Sequence, residues 1–396
     1  MRVTDGSAPR RWQELDLLRA LAAGLMVFNH VAVESSGIRT SQPIATAAFI
    51  GSFAPVLFFF LTGLGSGIQS ASRKPSAGYG YLVKVIILLA AGFDFFRFIG
   101  LSMLALEWVR RAPRSGRLAF GLSVAVCVAR FVAGPLLRPW LVGRWGLVLG
   151  GVLGVEGSSW PGYAFCPWLF YPFFGFALGQ LAAQAWSTLE PRRYTWVFVL
   201  AGFACLLGAI TAMLSARGAE MFRYGTMSAA YFLASLSALA LSLAAAIALA
   251  PVSRRVPPPW SGFIALSGIR SFAVVPLHYA LIPLADAVLG PCVDATTYLR
   301  NTLTILIVSF AASALVEKAA RYLDAPSLRR PTWIILVAFT AAYRLGLLKA
   351  PAGASEDFLR TAMLVGLCVL LVLHRPQGAR TERQALAEPE VAPREA

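Results

Sequence analysis

The segment LDLLRALAAGLMVFNH, residues 15–30, is apolar enough to begin a membrane-spanning helix and yet carries three ionisable side chains, Asp16, Arg19 and His30. The remaining residues are Leu, Ala, Gly, Met, Val, Phe and Asn. An ionisable side chain inside a bilayer is costly, so those that occur in spanning helices usually face the interior of a bundle and belong to a functional site. The segment therefore predicts a membrane protein whose first helix carries a polar site.

The composition of the whole chain agrees with a membrane protein. Of the 396 residues, 58% are hydrophobic and 14% are charged, whereas about a quarter of the residues of a soluble domain are charged. The net charge of +16 comes mostly from short Lys and Arg tracts between apolar segments, which are typical of cytoplasmic loops. The composition excludes an ordinary soluble enzyme and favours no nucleic acid; it indicates membrane lipid as the partner of the basic tracts.

The apolar segments predict an all-α fold, a polytopic integral membrane helical bundle of about 10–12 transmembrane helices, because one span needs about 20 apolar residues. Residues 81–109 lie between two basic loops but are too few for two full spans, so we expect a short hairpin there with Asp94 and Arg97 near its tip. The predicted spans are 15–33, 45–69, 118–135, 163–185, 194–214, 226–250, 262–288, 300–317, 331–348 and 357–374.

The chain divides into a cytoplasmic N-terminal tail at 1–14, a membrane domain at 15–374 and a cytoplasmic tail at 375–396. The last region has almost no large apolar residue, so we expect it to be disordered. The basic tracts place both termini in the cytoplasm. The five cysteines are scattered and form no Cys-x-x-Cys pair, so the sequence predicts neither a disulfide framework nor a metal site.

A Gly-rich segment at 139–155 and the following residues 156–168, which contain no Lys or Arg, are predicted to face the outside. Trp145, Trp160 and Trp168 fall in or near this region. Tryptophan is common at the edge of the bilayer, which is the expected position of these three residues. The alternative is an aromatic platform that faces a sugar at the mouth of a site.

The ionisable residues of the first helix share one face. Arg19 and His30 are eleven residues apart, which brings them within about 20° of each other on the helix and separates them by about 16 Å along its axis. Asp16 precedes Arg19 by three residues, and Glu34 follows His30 by four. Asp16 and Arg19 could form an ion pair at the membrane edge, and His30 could be an interhelical hydrogen-bond partner. The functional interpretation is a polar stripe with one site at each end.

The chemistry of these side chains suits group transfer. A neutral imidazole can accept a proton from a sugar hydroxyl or an amine, or it can attack an acyl group itself. Glu34 or another acid could orient the second nitrogen of His30. Arg19 is always charged and suits an anionic, phosphate-bearing ligand that enters from the cytoplasm. These residues predict a donor site near Arg19 and an acceptor site near His30.

This pattern resembles the polytopic transmembrane acyltransferases, which include the family-3 acyltransferases and the bacterial relatives of heparan-alpha-glucosaminide N-acetyltransferase. The hallmark of the family-3 members is an Arg, ten residues and a His on the first helix, as at Arg19 and His30. LDLLRALA is similar to the LDxLRGLA opening of these families, with Ala20 for Gly. Further similar segments, in family order, are PVLFFFLTGLGSGI (55–68), DFFRFIGLSMLAL (94–106), CPWLFYPFFGFALG (166–179) and SFAVVPLHYALI (271–282).

The resemblance implies an enzyme that moves an acyl group, usually acetyl, from cytoplasmic acyl-CoA to a hydroxyl or amine of a cell-envelope carbohydrate or glycolipid. It implies a bacterial inner membrane as the location, acetyl-CoA as the donor substrate and no metal. His30 would be the general base or the transient acyl carrier, and Arg19 would hold the donor or stabilise developing charge. Arg97 stands where the relatives have Gln, so the subfamily stays open.

Other interpretations remain for several residues and for the chain. Asp94 and Arg97 are either a self-neutralising pair or a contact for an anionic substrate. His278 is expected to bridge helices rather than to take part in catalysis, and His374 to lie at the membrane edge. The alternative function is a transporter or flippase for a lipid-linked or small polar solute, in which the charged stripe would be a pathway. A non-catalytic partner that kept the fold is a third option.

Overall fold

The computed structural model describes residues 12–35, 42–71, 79–90, 94–137, 163–185, 191–215, 227–253, 260–323, 326–348 and 356–373, together with residues 139, 152, 153 and 255. Within these ranges the chain is helical and contains no strand. The helices are α1 (Gln13–Glu34), α2 (Gln42–Gly51), α3 (Ala54–Ala71), α4 (Tyr79–Ala90), α5 (Asp94–Arg111), α6 (Ser115–Leu137, with a π-helical turn at Ala129–Ala133), α7 (Phe165–Ala185), α8 (Pro191–Ser215), α9 (Ala229–Ser253), α10 (Trp260–Leu289), α11 (Ala295–Leu323), α12 (Pro326–Arg344) and α13 (Glu356–Leu373).

The predicted polytopic membrane bundle is confirmed. In the described part of the chain, eight helices are long and apolar enough to cross a membrane, and they coincide with the first eight predicted spans. α2 and α3 together form one of these spans. The last two predicted spans correspond to shorter apolar helices at Ile334–Tyr343 and Phe358–Leu370. The protein is therefore an integral membrane protein.

The short segment between the basic loops forms a pair of helices, as predicted. α4 and α5 pack against each other, and Asp94 is the first residue of α5. Both helices also reach the rest of the bundle, since α5 contacts α3 and α4 contacts α13. Residues 1–11 of the predicted N-terminal tail, the predicted C-terminal tail and nearly all of the Gly-rich segment 139–155 lie outside the described residues, while Gln13 and Glu14 belong to α1.

The closest contact between helices joins α3 and α7 through glycines. Gly63 and Gly67 on α3 lie against the backbone of α7, and Gly175 and Gly179 on α7 lie against the backbone of α3. A Cβ atom at Gly63 would overlap the carbonyl group of Pro172. Within each helix the two glycines are four residues apart, which is the small-xxx-small spacing that lets membrane helices approach closely.

An aromatic cluster continues this contact. The ring of Phe59 on α3 is edge-on to Trp168 of α7, with centroids 5.6 Å apart, and Trp168 is edge-on to Tyr163 at 4.8 Å. Trp168 is fully buried. The sequence placed Trp168 at the membrane edge, and this prediction is wrong, because the residue packs into the interior between α3 and α7. Trp145 and Trp160 lie outside the described residues.

α1 occupies the centre of the bundle. It packs against α2, α3, α9, α10 and α11, and its residues Ala22, Ala23 and Val27 are completely buried. The side chain of Asn29 donates a hydrogen bond to the carbonyl of Ala48 on α2 at 2.7 Å. Because neighbours surround α1, its ionisable side chains meet protein groups from several helices.

The glycine contact gives a stability prediction. Gly63→Ala and Gly175→Ala should each lower the free energy of unfolding by about 1–3 kcal/mol, because the added methyl group meets backbone that has to move. Gly24 and Gly121 have no neighbouring atom within 4 Å of a built Cβ, so alanine there should be neutral or stabilising by up to about 1 kcal/mol. Unfolding of the purified protein in detergent measures the difference. Equal effects at Gly63 and Gly24 would contradict the packing described.

Candidate active site

His30 lies near the end of α1 and contacts two consecutive residues of α10. Its Nδ1 is 2.7 Å from Nε2 of His278, and its Nε2 is 2.8 Å from the Tyr279 hydroxyl oxygen. The two imidazole rings are stacked, with centroids 5.0 Å apart and an angle of 21° between planes. Both ring nitrogens of His30 therefore have partners, and both partners come from α10.

The direction of these hydrogen bonds follows from the carbonyl of Val274, which is the acceptor at the end of the hydrogen-bonded series. Nδ1 of His278 is 3.1 Å from the carbonyl oxygen of Val274, and a carbonyl can only accept. Nδ1 of neutral His278 therefore carries the proton, and its Nε2 accepts from the Nδ1–H of His30. That leaves Nε2 of His30 as an unprotonated acceptor, to which the Tyr279 hydroxyl donates. The chain of hydrogen bonds runs from Tyr279 through His30 and His278 to Val274.

His278 bridges two helices, as expected. It lies on α10 and reaches α1 through its hydrogen bond to His30. The sequence suggested Glu34 or another acid as the group that orients His30. In the structure His278 takes this position, because a residue on the facing helix reaches Nδ1 directly. His278 is completely buried, so its ring has little freedom to turn away.

A polar cavity of about 220 Å³ opens beside this cluster, between α1, α10 and α13. Its polar lining consists of Glu34, Tyr279, Asp286, Arg360 and Thr361. Tyr279 faces the cavity, whereas His30 lies behind the phenol ring and is not part of the lining. The guanidinium carbon of Arg360 is 5.8 Å from the centre of the Tyr279 ring.

Hydrogen bonds connect the cavity wall to the end of α1. Ser35, the residue after α1, donates a hydrogen bond from its hydroxyl to Oδ1 of Asp286 at 2.8 Å. The same hydroxyl accepts the backbone N–H of Cys292 at 3.2 Å. These bonds fix one carboxylate oxygen of Asp286. The positions of Glu34 and Asp286 on the cavity wall follow from the ends of α1 and α10.

Arg19 and Asp16 lie at the opposite end of α1. The guanidinium of Arg19 is 3.2 Å from the Asp16 carboxylate, so the ion pair expected from the sequence is present. The Asp16 side chain is 6% exposed and that of Arg19 is 36% exposed. The stripe predicted on α1 thus has two ends, separated by about 16 Å along the helix, rather than one continuous cluster.

Asp94 and Arg97 form the self-neutralising pair that the sequence offered as one alternative. Their charged atoms are 3.6 Å apart, and each side chain is about half exposed at the start of α5. Neither residue lines the cavity beside Tyr279. The structure therefore leaves this pair apart from the His30 cluster.

Sequence reasoning missed Tyr279, Asp286 and Arg360 as members of the site. The available signals were weak: a Tyr follows His278 directly, and Arg360 interrupts an apolar helix. Neither signal says which helices meet. Among the described residues there is no group of three or more His, Cys, Asp or Glu side chains placed to hold a metal ion.

Comparison of the chain with models of known protein families, with curated proteins and with solved structures gave no match. The resemblance to the transmembrane acyltransferases thus remains a hypothesis. The fold and the site themselves define a polytopic helical membrane protein that holds a hydrogen-bonded His–His–Tyr cluster beside a polar cavity.

The direction of the hydrogen bonds can be tested by NMR, because the chain contains three histidines only, His30, His278 and His374. With isotope-labelled histidine, two rings should show Nδ1–H and unprotonated Nε2, with coupling across the Nδ1–H···Nε2 bond. His278→Ala should remove that coupling and lower the free energy of unfolding by about 1–3 kcal/mol, since a buried donor on His30 loses its acceptor. An Nε2–H proton on His30 in the unchanged protein would contradict the assignment.

Proposed function

We propose that the protein is a membrane-bound acyltransferase that moves an acyl group, in the first instance acetyl, from cytoplasmic acyl-CoA to a hydroxyl or amine of a cell-envelope carbohydrate or glycolipid. We place it in a bacterial inner membrane with both termini in the cytoplasm. The observation that carries the proposal is the hydrogen-bonded His278–His30–Tyr279 cluster, in which Nε2 of His30 contacts the hydroxyl of Tyr279 and Tyr279 lines a polar cavity.

In this proposal His30 accepts the proton that the acceptor group loses as it attacks the acyl carbon. A neutral imidazole can act as a general base toward a hydroxyl or an amine. His278 holds the ring in the tautomer that leaves Nε2 available, and it accepts the Nδ1–H bond of His30 throughout. A transient acyl group on Nε2 of His30 is the other mechanism compatible with the site.

Arg19 is the proposed contact for the phosphates of the donor. Its side chain is partly exposed at the far end of α1, and its guanidinium has more donors than the single contact to Asp16 uses. His30 lies about 16 Å farther along α1, so the acyl end of a donor held at Arg19 has to span that distance. Arg97 has an acidic neighbour and an exposed position, so we assign it no part in this step.

The residues between the two ends of α1 favour an enzyme over a transporter. Ala23, Met26 and Val27 are buried and apolar, and they lie on the face between Arg19 and His30. A hydrated polar solute would need polar groups along its path, and these three residues supply none. Their apolar character therefore favours an enzyme over a transporter.

The proposal is tested with purified protein and labelled acetyl-CoA. The unchanged protein should transfer the label to cell-envelope glycans or release labelled acetate. His30→Ala should lower the rate by about 10²–10⁴-fold, the usual contribution of a general base, while the protein remains folded. His374→Ala is the matched control and should keep the full rate. An unchanged rate in His30→Ala would contradict the assignment of His30 as the general base.

Arg19 has its own kinetic test. Arg19→Gln should raise the KM for acetyl-CoA by about tenfold or more, since a charge-assisted hydrogen bond contributes about 1.5–3 kcal/mol, and Arg19→Lys should restore part of the loss. The kcat should change less than KM, because the guanidinium lies far from His30. A fall in kcat with an unchanged KM would contradict the role in donor binding.

A further inference from the structure

Three groups of the cavity lining, Tyr279, Glu34 and Asp286, offer hydrogen-bond acceptors, while Arg360 offers donors. The hydroxyl proton of Tyr279 is used in the bond to Nε2 of His30, so the phenol oxygen offers only lone pairs to the cavity. The carboxylates of Glu34 and Asp286 are acceptors when ionised. The hydroxyl of Ser35 donates a hydrogen bond to Oδ1 of Asp286. A ligand that matches the three acceptors must donate hydrogen bonds, and its own lone pairs can accept from Arg360.

The charge of the cavity lining further restricts the kind of ligand that can bind. The cavity contains two carboxylates, Glu34 and Asp286, against one guanidinium, Arg360. Such a lining repels a phosphate or carboxylate group and favours a neutral or positively charged one. The Arg360 guanidinium also lies near the Tyr279 ring at 5.8 Å, where it limits how an aromatic ligand could stack on the phenol.

The size of the cavity suits a small group. Its volume of about 220 Å³ is below the roughly 300–1,000 Å³ that drug-sized ligands occupy. One sugar ring, or a polar head group of similar size, fits these dimensions.

We propose that this cavity is the acceptor subsite, that it takes a neutral or amine-bearing polyhydroxylated group of about one sugar ring, and that the Tyr279 hydroxyl passes the acceptor's proton to His30. The assignment of the ligand rests on the cavity alone, and the role in the reaction rests on the proposed acyltransferase function. His30 then acts on the acceptor through Tyr279, because Tyr279 and not His30 lines the cavity.

The proposed transfer moves two protons and exchanges one bond of the acyl carbon for another. The acceptor O–H or N–H gives its proton to the phenol oxygen of Tyr279, while the phenol proton moves to Nε2 of His30. The acceptor oxygen or nitrogen forms a bond to the acyl carbon, and the carbon–sulfur bond of the acyl thioester breaks. The leaving thiolate takes the hydroxyl proton of Tyr279, while the His30 imidazolium returns its Nε2 proton to the phenol oxygen. Tyr279 and His30 return to their initial protonation states.

Binding tests the ligand assignment without any turnover. The protein in lipid nanodiscs, free of sugar detergents, is titrated with methyl glucoside, glucosamine and glucuronate. The first two should bind, and glucuronate should bind at least tenfold more weakly. Asp286→Asn should weaken glucosamine binding by about tenfold or more, since the lost contact is a hydrogen bond to a charged group. Equal binding of the three probes, or no binding by any of them, would overturn the assignment of the ligand.

Turnover tests the proposed proton transfer from the acceptor through Tyr279 to His30, which we call the relay. Tyr279→Phe keeps the ring and removes the hydroxyl, so kcat for transfer to methyl glucoside or glucosamine should fall by about 10²-fold or more. The KM for acetyl-CoA should stay the same, because the donor contact at Arg19 is untouched. Tyr322→Phe, on an exposed tyrosine of α11, is the matched control and should keep the full rate. An unchanged kcat in Tyr279→Phe would overturn the relay.

The two proposals fail in different ways. If the unchanged protein neither transfers nor hydrolyses acetyl-CoA, the acyltransferase function and the relay are both wrong. If the sugars still bind and Asp286→Asn weakens them, the cavity keeps its ligand assignment. If transfer occurs but the sugars do not bind, the function stands and the acceptor subsite lies elsewhere.

Discussion

A polar group inside a bilayer must find its hydrogen-bond partner within the protein, and this constraint organises the second half of α1. Asn29 bonds to α2, His30 bonds to α10, and the carbonyl of Phe28 accepts the hydroxyl of Tyr298 on α11 at 2.8 Å. Each bond joins α1 to a different neighbour. The polar residues of α1 thus fix the arrangement of the helices that surround it.

The glycine contact between α3 and α7 provides the rigid support for this arrangement. Four glycines let two backbones touch, and α1 packs on one of the two helices. The side chain of Arg19 also lies near Gly65 of α3, 4.0 Å from a Cβ built there. The apolar packing therefore determines the position of the Arg19 end of α1, while the hydrogen bonds to α10 determine the position of the His30 end.

The site acquires its chemical character from the direction of its hydrogen bonds. The backbone carbonyl of Val274 decides where the proton sits on His278, and through it where the proton sits on His30. Tyr279 then donates its hydroxyl hydrogen to His30 and not to the cavity. A single carbonyl in α10 thereby leaves the phenol oxygen of Tyr279 as a hydrogen-bond acceptor on the cavity wall.

The sequence by itself determined the fold class, the positions of the long spans and the polar face of α1, because hydrophobic length and the 3.6-residue period of a helix are local properties. It also contained the ion pair of Asp16 and Arg19, whose partners are three residues apart. Only the tertiary structure decided that His278 and Tyr279 meet His30, since their separation along the chain exceeds 240 residues. The burial of Trp168 and the role of Asp286 and Arg360 likewise required knowing which helices pack together, which composition and periodicity do not specify.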